Sequence, residues 1–190
     1  IDIIERTIRY AIDRKNAETE LARLAHYDAL TGIPNRLLFN DRLDRALQRA
    51  DRGDSPFALL YLDLDGFKAV NDAYGHDMGD KLVQGIAERL SQCIRRTDSV
   101  ARIGGDEFTV LLEKTTSTND TVTIAQKIID VVTEPFNING QQMRVGSSIG
   151  IAVYPEAGRD ATTLIKHADM AMYEAKAMQG SNYRFFTAKM

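Results

Sequence analysis

Two short acidic stretches hold the residue types best suited to chemistry. In "LLYLDLDGF", residues 59–67, an apolar run ends in Asp63 and Asp65 and is followed by Gly66. Side chains at i and i+2 of a strand share a face, so the two carboxylates sit together at its tip. They repel unless a proton, a basic partner or a metal cation neutralises them. Three readings stay open for this pair alone: an aspartyl phosphotransfer site, a Mg2+ site for nucleotide chemistry, or a solvated turn. In "RIGGDEFTVLL", residues 102–112, two strand-like runs flank Gly104-Gly105, which reads as a tight hairpin leading directly into Asp106 and Glu107. Where the two strands are neighbours, Asp63 and Asp106 converge on one site. Convergent carboxylates with few nitrogen or sulfur ligands around them are the hard oxygen environment that Mg2+ prefers, with phosphate oxygens completing the shell.

The segment after Asp65, "GFKAVNDAYGHDMGDKLV", adds to that chemistry. Gly66, Phe67 and Lys68 open a helix whose free N–H groups face the acids, and a helix N-terminus with a lysine is a seat for phosphate. Asn71 and Asp80 supply an amide and a carboxylate of the kind that read a guanine edge, since Asp accepts from the ring N–H and the exocyclic amine. Phosphate seat, metal pair and base readout together describe a nucleotide site.

The elements that must position these residues follow from periodicity. Residues 1 to about 26 read as one helix, with Ile1, Ile4, Ile8, Ala11, Leu21 and Leu24 at helical spacing; it is too polar to bury much and reads as a connector or coiled-coil half-stripe. "DALTGIPNR", residues 28–36, ends it, a second amphipathic helix covers 36–52, and "DRGDSP" closes that one. Strands are expected at 57–64, 99–103, 106–112, 143–153 and 183–187, with a short strand at 136–138 turning through Asn139-Gly140 into the long one. Helices are expected at 67–73, 79–96, 119–134 and 161–178. Hairpins interleaved with helices give an α+β class: a mixed, mainly antiparallel five-stranded sheet surrounded by helices.

Composition narrows the function classes. The 190 residues, 44% hydrophobic and 27% charged, suit one globular domain with a short appendage. Lys and Arg total 24 against 27 Asp and Glu, a net charge of -3, so no broad basic surface is available for a nucleic acid polymer or anionic lipid, and an anionic substrate must be held locally. Cys93 is the sole cysteine, which excludes an internal disulfide and a cysteine metal cluster. His26, His76 and His167 lack metal-ligand spacing and read as structural or capping. No apolar run approaches the ~20 residues of a membrane span, and "IDIIERTIRY" is no secretory signal. A cytoplasmic location follows, on its own or within a larger, membrane-attached protein.

"GGDEF", with "DLDGFKAVNDAYGHDMGD" and "DALTGIPNR" upstream, resembles the GGDEF domain of diguanylate cyclases, in the expected order from about Tyr27 to Phe186. The resemblance implies a fold similar to nucleotidyl cyclase and polymerase palm domains, with residues 1–26 as a linker or signalling helix and 27–190 as the domain. It implies a reaction in which two GTP become cyclic di-GMP and two pyrophosphates, with Mg2+ (or Mn2+) as cofactor and a homodimer as the working unit. Carried over by position, Asp63, the Leu64 carbonyl and Asp106 would hold the metal, Asp106 would help deprotonate the 3'-hydroxyl, and Glu107 would support the metal and ribose. Gly66, Phe67 and Lys68 would seat the β and γ phosphates, Asn71 and Asp80 the guanine, and Lys176 a phosphate. Arg95 and Asp98 form an RxxD at the offset of the family's inhibitory product site, implying feedback inhibition by cyclic di-GMP. One departure stands out: the family's glycine followed by Arg or Lys after the last helix is here Gly180-Ser181.

"LYLDLDG" also resembles the nucleophile motif of haloacid-dehalogenase-type phosphatases, but Phe67 and Lys68 follow where that family has Thr or Val, and GGDEF is not its later acidic pair. The weightier rival is a GGDEF-type sensor that binds GTP or cyclic di-GMP without turnover; against it, all the signature acids are present. Ile1 to about Leu24 resembles the end of a receiver or other sensory module running into a linker helix, and "FFTAKM" the approach to a further domain such as a cyclic di-GMP phosphodiesterase.

Overall fold

A computed structural model describes residues 2–53, 56–115, 117–178 and 180–190. Helices α1 (Asp2–His26) and α2 (Arg36–Asp51) precede β1 (Ala58–Asp65), α3 (Phe67–Tyr74) and α4 (His76–Cys93). Next come β2 (Ser99–Gly104), β3 (Glu107–Leu112), α5 (Thr118–Thr133), β4 (Phe136–Ile138), β5 (Gln141–Met143), β6 (Gly146–Val153), α6 (Ala161–Lys176) and β7 (Asn182–Phe185). Ile1 and the side chain of Ile4 in the expected seam of α1, and Asp54 and Ser55 in the loop after α2, lie outside the described residues.

The five-stranded sheet has the order β2-β3-β1-β6-β7, antiparallel throughout except for the parallel β6–β7 pair. The central strand β1 is buried on both faces, which is why it reads as a continuous apolar run. Leu60, Leu62 and Leu64 point into one core with Leu82, Ile86 and Leu90 of α4 and Ile128 and Val132 of α5. Leu59 and Tyr61 point into the other, with Phe39 and Leu43 of α2 and Leu164, Ala168 and Met172 of α6. On β6, Gly150 admits α6 at backbone distance: a Cβ there would lie 1.9 Å from the Ala168 carbonyl oxygen and 2.2 Å from the Met172 nitrogen.

Three expectations need correction. The long strand 143–153 is two: β4 and β5 form a separate hairpin, turning at Asn139 and Gly140 with φ of 52° and 81°, and β6 starts at Gly146 in the main sheet. Alternating side chains run through both pieces, so periodicity could not see the break. Helix α4 starts at His76, just after Gly75 in the left-handed region, and ends at Cys93, so Arg95 lies beyond the helix. The glycine pair is not itself the turn: Gly104 pairs with Glu107, leaving Gly105 (φ 53°) and Asp106 as the two turn residues, and β3 begins at Glu107.

The described side chains of α1 from Glu5 to Ala25 are exposed, with Ile8, Ile12, Leu21 and Leu24 among them. It joins the body through an isolated bridge between Tyr27 and Pro34, and Asn35 caps α2 by accepting from the N–H groups of Leu37 and Leu38. No helix among the described residues is long and apolar enough to cross a membrane.

Candidate active site

Antiparallel register sets Glu107 of β3, Asp63 of β1 and Ser148 of β6 directly opposite one another, so the three side chains form a row on the α2/α6 face. Asp63 is buried, and the Lys176 ammonium at the end of α6 donates to its Oδ1 at 2.6 Å. This hydrogen bond raises the Lys176 pKa above the ordinary lysine value; burial opposes the rise, and the charges of Asp63, Asp65 and Asp106 add to it. One cation thus feels three carboxylates from two strand ends, which draws the Asp106 turn into the same electrostatic unit.

Asp65, for which the sequence suggested no role, accepts from the Ser148 hydroxyl at 2.9 and 3.0 Å. Burial pushes its carboxyl above the usual carboxylate range; the Ser148 bond opposes this, the charge of Asp63 reinforces it, and Lys176 pulls it back down. Sharing a strand face with Asp63 is therefore relieved from both sides: Lys176 neutralises one acid and Ser148 occupies the other.

Gly66, with φ 84°, starts α3 with no side-chain cap, so the first N–H groups of Phe67, Lys68 and Ala69 stay free of a capping side chain. Gly66 lines a cavity of about 430 Å³ with Asp65, Lys176, Gly146, Gly180 and Ser181. The Gly180-Ser181 departure therefore lies in the site itself. Ser181 is not idle, because its Oγ accepts from the Ser147 N–H at 3.0 Å and ties the turn after α6 to β6. Across α3, Asn71 packs against Gly79 so closely that a Cβ there would lie 1.9 Å from Asn71 Oδ1, and that buried oxygen has no protein partner. Asp80 is exposed one residue on.

The donors fit a hard divalent cation. Asp63 and Asp106 are carboxylates, and beyond Asp63 strand β1 keeps its β6 partner but has none on the β3 side, which leaves the backbone at Leu64 open there. The Lys176 ammonium on Asp63 marks this spot as one that attracts positive charge. No cluster of three His, Cys, Asp or Glu side chains suited to a metal occurs among the described residues, so the backbone carbonyl and ligand oxygens are needed to complete a shell.

Residues that sequence reasoning passed over hold the site in place. Arg102 donates from Nε and Nη2 to the Gly105 carbonyl at 3.0 and 2.8 Å, and from Nη1 to Asp28 Oδ1 at 3.0 Å. Burial would raise the Asp28 carboxyl, but hydrogen bonds from Thr31 and Arg102 outweigh it and hold it below the ordinary aspartate value. The acidic turn is thereby clamped to the segment that follows α1. Adjacency of Arg102 to the glycine pair was the available signal; the 74-residue separation from Asp28 concealed its partner.

Away from this site, Arg95 is exposed and Asp98 is buried in a turn after α4. Asp98 accepts from the Arg95 N–H and from the Glu113 N–H, both at 3.1 Å. A groove of about 240 Å³ opens beside it, lined by Asp98, Arg96 and, from α2, Arg42, Arg45 and Arg49. Arg42 donates to Ser99, and Arg49 pairs with Glu113 at 2.7 Å.

Residues 25–182 match the family described as diguanylate cyclase, GGDEF domain. The chain belongs to the GGDEF family. It is 45% identical over 185 residues to the bifunctional diguanylate cyclase/cyclic di-GMP phosphodiesterase MucR of Pseudomonas aeruginosa, covering 97% of this chain and 27% of that one. The GGDEF domain of TpbB from the same organism superposes with a TM-score of 0.82 at 41% identity, over 85% of this chain and 95% of that one. The coiled coil and GGDEF domain of DgcB from Caulobacter crescentus, solved in complex with c-di-GMP, gives 0.83 at 26% identity, over 98% and 97%. The chain spans about a quarter of the length of curated relatives such as MucR. Its five-stranded sheet with surrounding helices is the GGDEF fold.

Proposed function

We propose that this GGDEF chain is a diguanylate cyclase, condensing two GTP into cyclic di-GMP with release of two pyrophosphates. The observation that carries the reading is the meeting of Asp63, Glu107 and the Asp106 turn with Lys176, beside the uncapped start of α3. In each half-reaction a 3'-hydroxyl oxygen bonds to the α-phosphorus of the other nucleotide, and the bond to the bridging α–β oxygen breaks. Asp106, in the turn, takes the hydroxyl proton. Lys176 and the N–H groups after Gly66 hold the triphosphate, with Lys68 as a further charge. Asn71 Oδ1, buried without a protein partner, accepts from guanine, and Asp80 does the same from the exposed side. Asp63, Asp106 and the Leu64 carbonyl would hold Mg2+ or Mn2+, which lowers the pKa of an attacking oxygen and neutralises charge on leaving pyrophosphate.

Each chain offers one half-site, so two copies face each other in turnover. The exposed Ile8, Ile12, Leu21 and Leu24 on α1 support residues 1–26 as the pairing and signalling helix, with 27–190 as the cyclase domain below an upstream sensory or receiver domain. Arg95, exposed, suits bidentate capture of the product's guanine and phosphate, and the arginines of the neighbouring groove supply further positive charge. Feedback inhibition by cyclic di-GMP follows.

A sensor that binds GTP or cyclic di-GMP without turnover is the second reading. It is favoured by Gly180-Ser181, which add no second cation beside Lys176 to the phosphate-side cavity. Incubation with GTP and Mg2+ followed by chromatography separates the two: cyclic di-GMP is expected, and GTP binding without product at high protein concentration gives the site to the sensor.

A further inference from the structure

The row of acids stands on a phenol. Tyr61 lies one pleat below Asp63 on the same face of β1, the one hydroxyl in a strand otherwise apolar up to the acids, and is buried. A buried phenol has to find an acceptor or carry the cost of a lost water partner. Its direct neighbour across β3 is Thr109, whose Oγ1 is buried and unpartnered, so the phenol is not spent there. It reaches instead along the diagonal to Glu107 and donates to Oε2 at 3.2 Å, longer than the usual ~2.7–2.8 Å. A phenol is neutral at ordinary pH and a carboxylate only accepts, so Tyr61 is the donor of this pair.

We propose that Tyr61 is a positioning residue for Glu107: its hydroxyl ties down Oε2 and leaves Oε1 to face the metal and ribose side of the site. This rests on the cyclase reading for the role of Glu107. A phenylalanine would fill the same core volume, so the hydroxyl contributes nothing to packing, and what it can fix is the carboxylate above it.

Tyr61→Phe keeps the ring and removes the donor. Binding of Mn2+ with 3'-deoxy-GTP, which lacks the attacking hydroxyl, is read by calorimetry in wild type, Tyr61→Phe, Glu107→Ala and the double variant. We expect Tyr61→Phe to weaken binding by about three- to tenfold in the wild-type background and by less than about 1.5-fold in Glu107→Ala, which has no acceptor for the phenol, the signature of one shared interaction. Glu107→Asp, which shortens the side chain out of reach of the phenol, should weaken binding at least as much as Tyr61→Phe does, and Tyr61→Phe should add nothing to it. Equal effects of Tyr61→Phe in both backgrounds, or no effect in either, overturn the proposal. The two readings fail separately: wild type that binds the analogue but makes no cyclic di-GMP refutes the cyclase while the coupling is still measured. Product formation with zero coupling refutes Tyr61 alone, and no analogue binding by wild type refutes both.

Discussion

Asp63, within β1, and Asp98, just before β2, are both buried carboxylates, and they are held in opposite ways. Asp63 is satisfied by the tip of a lysine whose own side chain is 47% exposed. Asp98 is satisfied by two backbone N–H groups, those of Arg95 and Glu113, which cannot leave without opening a turn and an edge. The first arrangement is exchangeable: another cation can replace the ammonium at the cost of a side-chain rotation. The second is architectural, and whatever ligand the RxxD turn takes must be gripped chiefly by Arg95 and by neighbouring groups that remain free.

The sharpest way to break this contrast is to remove acids from each region. Asp106→Ala, in a half-exposed turn, should lower cyclic di-GMP formation by at least about a thousandfold by chromatography, with the urea midpoint unchanged. Asp98→Ala should do the reverse, costing about 2–3 kcal/mol in urea unfolding because two N–H groups lose their acceptor; an unchanged midpoint would place Asp98 with the exchangeable acids. Arg95→Ala should raise the cyclic di-GMP concentration for half-inhibition about tenfold while leaving the initial rate intact, and identical inhibition in both proteins refutes the RxxD assignment. Arg102→Ala frees the Gly105 carbonyl and Asp28, and should cost about 1 kcal/mol in the same unfolding assay at neutral pH. Asp28 has a lowered pKa in the fold, so its contribution is present above the ordinary aspartate pKa of 3.8 and is lost as pH falls through the folded value. The gap between wild type and variant should therefore close in acid.

The smallest effect belongs to the exchangeable pair. Lys176 has a raised pKa, so its stabilisation is present below the ordinary lysine value of 10.5 and disappears as pH climbs through the folded value. Lys176→Met should melt a few degrees lower at pH 8 and converge with wild type only in strong alkali. A constant gap across that range would mean that the lysine stabilises by packing rather than charge.

Much of this was legible because period and punctuation agree. The apolar run of β1, the glycines at 66, 75 and 105 and the Asn139-Gly140 turn each state their local geometry, and the spacing of the acids follows from which strands can be neighbours. What escaped was information held across the fold. Ser148 lies 83 positions from Asp65 and Lys176 lies 113 from Asp63, and nothing in either stretch names the other. Lys176 could be expected near phosphate, but its resting partner depends on the height of α6 above the sheet. The break at residues 144–145 was hidden because a strand changing sheets keeps its alternation. Arg102 drew no reading from the sequence, because its role rests on one guanidinium shared between the Gly105 carbonyl beside it and Asp28, 74 positions away.

Gly150 acts as a fulcrum. α6 rests on β6 with its backbone against the bare Cα of that one residue, so the helix is a rod supported near Ala168 and Met172 with Lys176 at its free end, about one turn and some 6 Å further along. Any side chain at position 150 would jack the rod away from the strand, and the displacement would be delivered at the tip, where the lysine makes its 2.6 Å contact with Asp63. A substitution with no charge, no hydroxyl and no contact with nucleotide would thus disarm the acids by leverage alone.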